Sequence, residues 1–235
     1  MHRRECYHDI ADSPYHEVIK LHLIKDISIP AIMPEYKLIY FDAKGRAELI
    51  RWIFAYGKIP YTDERININD WPAIKPTIYS NKVPVLMIDG TPYNESLAIA
   101  RYFAKKVGLV PEDELLALRV DAGVDTIADK HLEGRPIIRA PISNEEKTKR
   151  FREELFPNVL KPFLVDINKQ LEGKDWLVGD KVTWLDLHCA SFFDNHKVKI
   201  PYLLDDFPNV DKHMKRVKEL PGIKEWIAKR PFTFI

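Results

Sequence analysis

Apolar and polar positions change their rhythm partway along the chain. From Tyr36 to Phe41 the residues Tyr36-Lys37-Leu38-Ile39-Tyr40-Phe41 are short, β-prone and aromatic, which predicts a strand. Gly45 closes the following turn, and Arg46 to Tyr56 then puts Leu49, Ile50, Ile53 and Phe54 on one helical face, with Gly57 as a C-cap. Pro60 to Ile66 reads as a second strand, so the segment is a βαβ unit whose strands run parallel. Val83 to Ile88 is a third strand. Asp89-Gly90 is a hairpin turn leading to a fourth around Thr91-Pro92-Tyr93, and Ser96 opens a helix to about Val107. Beyond Glu112 the strand signals stop. Leu115, Leu118, Ala122, Asp125 and Asp129 fall on helical spacing, and Glu145 to Leu171 reads as a helical stretch that Pro157 and Pro162 bend or interrupt. Thr183-Trp184-Leu185-Asp186 has the form of a capping box with Asp in the usual Glu place. Helices near 209–219 and 222–229 follow, bounded by Pro208, Pro221 and Pro231. The expectation is an α/β domain over residues 34–110 and an all-α domain over 112–235.

Residues 1–33 stand apart. They hold four of the eight histidines (His2, His8, His16, His22), four basic residues and five acidic ones, and read as an extension expected to be mobile. The apolar stretch Val18 to Met33 is broken by Lys20, Lys25 and Asp26, which makes a poor signal-peptide core, and the acids are unlike a mitochondrial presequence. No apolar run approaches the roughly 18–20 residues that span a bilayer.

Composition narrows the chemistry. With 36 Lys+Arg against 35 Asp+Glu, the net charge of +1 argues against nucleic acid as the main partner, because phosphate binding leaves a marked basic excess. Cys6 and Cys189 are the only cysteines, so a disulfide scaffold, a dithiol redox motif and a cysteine zinc site are excluded. Whatever chemistry occurs here uses borrowed groups or other side chains.

Several separated motifs then occur in one order: Tyr36 to Phe41 with Gly45-Arg46-Ala47-Glu48, Asp70-Trp71-Pro72, Lys75-Pro76, Lys82-Val83-Pro84-Val85-Leu86, Asp89-Gly90, Glu95-Ser96 to Arg101-Tyr102, and Val120-Asp121. Over about residues 33–235 the chain resembles a sigma-class glutathione transferase, the class that includes the glutathione-dependent prostaglandin D synthases. The resemblance implies an α/β thioredoxin-like N-terminal domain followed by an all-α domain, in a cytoplasmic homodimer that conjugates glutathione to small hydrophobic electrophiles in detoxification. Glutathione is then a co-substrate, no metal is expected, and neither nucleic acid nor membrane is a partner.

Residue by residue, the resemblance makes Tyr40 the catalytic hydroxyl that donates to the glutathione sulfur. Such a donor favours thiolate over thiol, and the thiolate is the nucleophile. Arg46 matches a position near the sulfur. Val83, before a proline that is cis in thioredoxin-like domains, offers its N–H and C=O to the cysteinyl part. Trp71, Lys75 and Lys82 match positions at the glycyl end. Ser96 receives the γ-glutamyl carboxylate, aided by a helix N-terminus. Glu95 stands where the sigma class usually has Gln, and is placed to pair with the γ-glutamyl ammonium. Asp129 matches a residue that reaches the partner's glutathione. Taken one at a time these residues have plainer readings: Tyr40 as a core tyrosine, Ser96 as an N-cap, Trp71 as packing, Arg46 as a solvent-facing helix residue.

Two departures bear on substrate. Ala128 interrupts the acids that bind a divalent cation in some prostaglandin synthases, and Pro136 occupies the place of a tryptophan in the pocket wall of those enzymes. Ala43, Gly45, Phe232 and Phe234 are candidate pocket residues. Isomerisation or peroxide reduction with the same thiolate, and a non-catalytic binding or structural role like that of the related lens crystallins, remain as alternatives.

Overall fold

The computed structural model describes residues 33–233. The extension, apart from Met33, lies outside the described residues with its histidines and Cys6, as does Phe234. Met1–Pro34 and Glu35–Ile235 form separate units, and all the elements below belong to the second.

Strand β1 (Tyr36–Phe41) pairs in parallel with β2 (Thr62–Ile66) and antiparallel with β3 (Val85–Ile88), which pairs antiparallel with β4 (Thr91–Tyr93). The sheet order is β2-β1-β3-β4. The side-chain period of two divides β1 cleanly. Tyr36, Leu38 and Tyr40 face the main core, whereas Ile39 faces a smaller cluster with Ile66 and Val85, against which Trp71, Ile74 and Ile78 pack. One face is therefore covered by helices α1 (Glu48–Tyr56) and α3 (Ser96–Lys106). The other is covered by the irregular segment around the short helix α2 (Trp71–Ile74).

The helical part comprises α4 (Glu114–Arg139), α5 (Asn144–Arg150), a π-wound stretch (Phe151–Leu160), α6 (Lys161–Gln170), α7 (Trp184–Lys197), α8 (Pro208–Lys218) and α9 (Ile223–Lys229). The π winding contains Pro157, whose missing N–H cannot serve an α-helical ladder. The buried face of α4 is Val120, Val124, Ile127 and Ile137. The stripe on helical spacing with Leu115, Leu118 and Asp125 faces solvent, at 72% exposure for Leu115 and 64% for Leu118.

Asp186 anchors α7 as the capping pattern expects: its carboxylate accepts from the Thr183 N–H (2.8 Å) and hydroxyl (2.9 Å). It also accepts from the Leu177 N–H and receives His213 Nε2, both at 2.9 Å. α7 in turn packs against α4 and α1, so one hydrophobic core runs through both the α/β and the helical parts.

Candidate active site

The turn after β1 opens on a cavity of about 1550 Å³. That exceeds the several hundred Å³ of an ordinary single-ligand site and leaves room for two substrates side by side. Its floor is the Tyr40 ring, 8% exposed, at the end of the core-facing row of β1. The backbone N–H of Arg46 donates to Tyr40 Oη at 3.1 Å, which fixes the oxygen and leaves the hydroxyl proton free to donate into the cavity. Burial raises the Tyr40 pKa, although the Arg46 N–H and the Arg46 and Arg51 charges oppose it. The phenol therefore stays protonated at neutral pH and acts as a donor. Gly45 has φ +41°, and a Cβ there would stand 2.5 Å from Tyr40 Oη, so only glycine lets the turn fold over the hydroxyl.

The turn is pinned from below. Arg51 Nη1 donates to the Ala43 carbonyl at 2.7 Å. Lys44 Nζ lies 3.4 Å from the Asp194 carboxylate on α7. Arg230 bridges Glu48 and Asp194 at 2.7 Å each, and Trp52 and Trp226 donate their indole N–H groups to the same Glu48 oxygen at 2.9 Å. Burial alone would raise the Asp194 pKa, but Arg230, Lys44 and Lys218 outweigh it and bring it to about 2. Glu48 is likewise held below its usual value against burial, chiefly by Arg230. Both carboxylates are thus charged, buried and paired.

Of the residues singled out by sequence, Tyr40, Arg46, Trp71, Lys75, Lys82, Val83 and Glu95 all line this one cavity, as do Ala43 and Gly45. The Val83-Pro84 bond is cis. Glu95 has φ +67°, a left-handed conformation that a non-glycine residue adopts at some cost, and it directly precedes α3, whose first turn has no side-chain cap. Ser96, the first residue of α3, is 9% exposed and sits behind Glu95, outside the cavity lining. Asp129 is exposed on α4 and is not part of the wall. Asp121 and Asp125 are engaged by Arg101 at 3.1 and 3.8 Å.

Two expectations for the second half of the pocket need correction. Phe232 is 84% exposed and Pro231 lines the cavity instead. Pro136 points away from the cavity, which α4 lines with His131, Arg135, Ile138 and Arg139. Those four fall at i, i+4, i+7 and i+8, the spacing of a single helical face, and that signal was present in the sequence. Asn144 and Lys147 of α5, with Phe41, Asp42, Arg65, Asn67, Ile68, Ser80 and Asn81, complete the wall.

His131 connects the cavity to a buried histidine group. Its ring stacks on His188 at 5.8 Å and lies 6.5 Å from His196, with Phe192 edge-on at 4.7 Å. Burial, and after it electrostatic coupling to His188, His196 and Arg46, pushes the His131 pKa well below its ordinary value. Burial takes His188 to about 3 and His196 to about 4. All three are neutral imidazoles at neutral pH.

Residues 36–105 match the family model "Glutathione S-transferase, N-terminal domain", and residues 134–230 match "Glutathione S-transferase, C-terminal domain". The chain is 40% identical over 205 residues to human hematopoietic prostaglandin D synthase, covering 86% of this chain and 99% of that one. It is 37% identical over 205 residues to a glutathione S-transferase of Anopheles gambiae, with the same coverages. Among solved structures, rat hPGDS complexed with a quinoline superposes with a TM-score of 0.77 at 39% identity, over 86% of this chain and all of that one.

Proposed function

The chain belongs to the glutathione S-transferase family, and from that premise we propose that the Tyr40 hydroxyl holds the glutathione sulfur as thiolate while the surrounding wall orients the peptide for attack on a small apolar electrophile. The observation that carries this reading is the Tyr40 hydroxyl, fixed by the Arg46 N–H with its own proton unspent at the cavity wall. A hydrogen bond to a charged acceptor contributes about 1.5–3 kcal/mol, which corresponds to about one to two pKa units in favour of the thiolate. Arg46, exposed at the same wall, adds a cation beside the sulfur.

Lys75 and Lys82 take the glycyl carboxylate, with Trp71 packed behind. Val83 presents its backbone to the cysteinyl unit, Glu95 faces the ammonium, and the first turn of α3 with Ser96 accepts the γ-glutamyl carboxylate. Exposed ion pairs of this kind contribute only about 0–1 kcal/mol each. Their larger effect is to hold the sulfur in place, which converts a bimolecular encounter into an effectively unimolecular one.

The working unit is a homodimer in this proposal. Leu115 and Leu118 form an exposed apolar stripe on α4 that a second copy would cover, and Asp129, farther along the same helix, is then free to serve the partner's site. A second reading, isomerisation of a prostaglandin endoperoxide by the same thiolate, draws on the similarity to human hematopoietic prostaglandin D synthase.

Retention on immobilised glutathione, followed by conjugation of 1-chloro-2,4-dinitrobenzene, tests the proposal. Tyr40→Phe should keep the retention, raise the pKa of the bound thiol by about one to two units and lower the rate near pH 6.5 by about 10- to 100-fold. An unchanged rate with an unchanged thiol pKa would remove Tyr40 from its role. Product analysis with a prostaglandin endoperoxide decides the second reading.

A further inference from the structure

We infer that the second substrate is an anionic amphiphile: an apolar electrophile bearing a carboxylate, read by Arg135, Arg139 and Lys147 on the helical wall of the cavity. The inference rests on the glutathione transferase reading and adds the class of acceptor.

The argument is one of charge balance. The chain as a whole is nearly neutral, with 36 basic and 35 acidic residues. Its cavity is not: seven cations line it (Arg46, Arg65, Lys75, Lys82, Arg135, Arg139, Lys147) against two carboxylates, Asp42 and Glu95. Arg65 is spent on Asp42 and Asp63, each at 2.9 Å. Glutathione brings two carboxylates, one ammonium and, when reactive, a thiolate. Lys75, Lys82 and Arg46 balance the anions, and Glu95 balances the ammonium. Arg135, Arg139 and Lys147 remain, and none of them has a carboxylate within ion-pair distance among the described residues.

These three are also badly placed for a structural role. Arg135 and Arg139 are one helical turn apart on the same face, a like-charge arrangement that costs a few tenths of a kcal/mol unless an anion lies between them. Arg135 and Lys147 are half-buried, where an unpaired cation loses hydration without compensation. An arginine fork binds a carboxylate through two parallel N–H donors, so the pair on α4 is suited to that geometry. Ile138 lies between the two arginines on the same wall, and Pro231 and Ile68 add apolar surface. Apolar surface with a cationic end is the complement of an apolar body with an anionic end.

The test uses one electrophile in two charge states: ethacrynic acid, an unsaturated ketone with a carboxylate, and its methyl ester. In the native protein the acid should have the higher kcat/KM, through a lower KM, and the advantage should shrink as salt rises. The triple variant Arg135→Gln, Arg139→Gln, Lys147→Gln should lose about tenfold more in kcat/KM for the acid than for the ester. Lysine at 135 and 139 should restore part of the loss. Equal efficiency for acid and ester in the native protein, or an equal fall for both in the variant, overturns the inference while leaving the transferase reading intact. If neither compound nor 1-chloro-2,4-dinitrobenzene is turned over, it is the transferase reading that has failed. Calorimetric binding of dodecanoate against dodecanol then decides the anion site by itself, and equal affinity for the two overturns it.

Discussion

Replacing His188 with phenylalanine should make the protein less sensitive to mild acid, by an amount the structure fixes. His188 lies wholly inside α7, stacked on His131, and its Nδ1 has no hydrogen-bond partner. Burial lowers its pKa to about 3 in the folded protein. In an unfolded chain an imidazole titrates near 6.5. Between those two values the unfolded state carries a proton that the folded state refuses, so stability rises with pH. The contribution is complete above about pH 6.5 and is lost as the pH falls below it, at about 1.4 kcal/mol per unit. From pH 7 to pH 5 the loss from this one side chain is about 2 kcal/mol, a sizeable part of the roughly 5–15 kcal/mol that holds a domain folded.

Phenylalanine keeps an aromatic ring at the position and cannot titrate. Any cavity or packing change it introduces is the same at every pH, and so cancels in the comparison. Urea unfolding followed by tryptophan fluorescence, at fixed protein concentration and at pH 7, 6 and 5, gives the stability gap between the variant and the native protein. The window stays above the range in which Glu48 and Asp194 are protonated on unfolding, so carboxylates do not enter. The gap should move by about 2 kcal/mol in favour of the variant between pH 7 and pH 5. A gap constant to within about 0.5 kcal/mol would mean that His188 takes up its proton in the folded state, and the account of the histidine group would be wrong.

Three other expectations follow from geometry. Gly45→Ala puts a methyl against Tyr40 Oη in a left-handed turn, and should cut kcat/KM by about 10- to 100-fold with glutathione retention preserved; native-like turnover would refute the close approach. Arg230→Ala leaves Glu48 and Asp194 buried and under-paired, and should cost about 3–5 kcal/mol in urea unfolding; a loss below about 1 kcal/mol would show the network to be dispensable. For the proposed dimer, Leu118→Glu should lower the sedimenting mass to that of one chain at neutral pH, and a mass unchanged from the native protein would overturn pairing through this stripe.

How legible the protein was depended on how many surfaces each element serves. β1 is short, β-prone and aromatic, so its span was legible directly, and its period of two sets Tyr40 on the core-facing row. The capping box at Thr183 was visible because its logic is local. α1 was only half legible: Leu49, Ile50, Ile53 and Phe54 are buried as their spacing implies, but Glu48 and Arg51 are buried too, because α3, α7 and α9 all pack against α1. Arg51 also lies 3.3 Å from the Glu48 carboxylate, an i,i+3 pair that helical spacing allows, whereas their other partners Arg230 and Asp63 sit on elements that no local pattern links to α1. α4 was legible as a helix, but which of its faces is buried was not, for a related reason. Its 26 residues face the core, the cavity and solvent in turn, so three stripes overlap and the most apolar one near its start is the exposed one. The motifs at 40, 46, 71, 75, 82, 83 and 95 converge on one cavity from strand ends, loops and single-turn helices, where a short motif specifies its own geometry. The electrophile wall is built from ordinary helix surface, which carries no such mark.

The bridge from Arg230 to Glu48 also has a consequence in time. Its two ends are 182 residues apart, and a ribosome adding about 5–20 residues per second separates their synthesis by roughly ten to forty seconds. During that interval the nascent α/β segment holds the Glu48 carboxylate with Arg51 but without Arg230, so the ion-pair network beneath the turn is incomplete until Arg230 is made. Completion of that network is thereby tied to a residue that follows every other element described above.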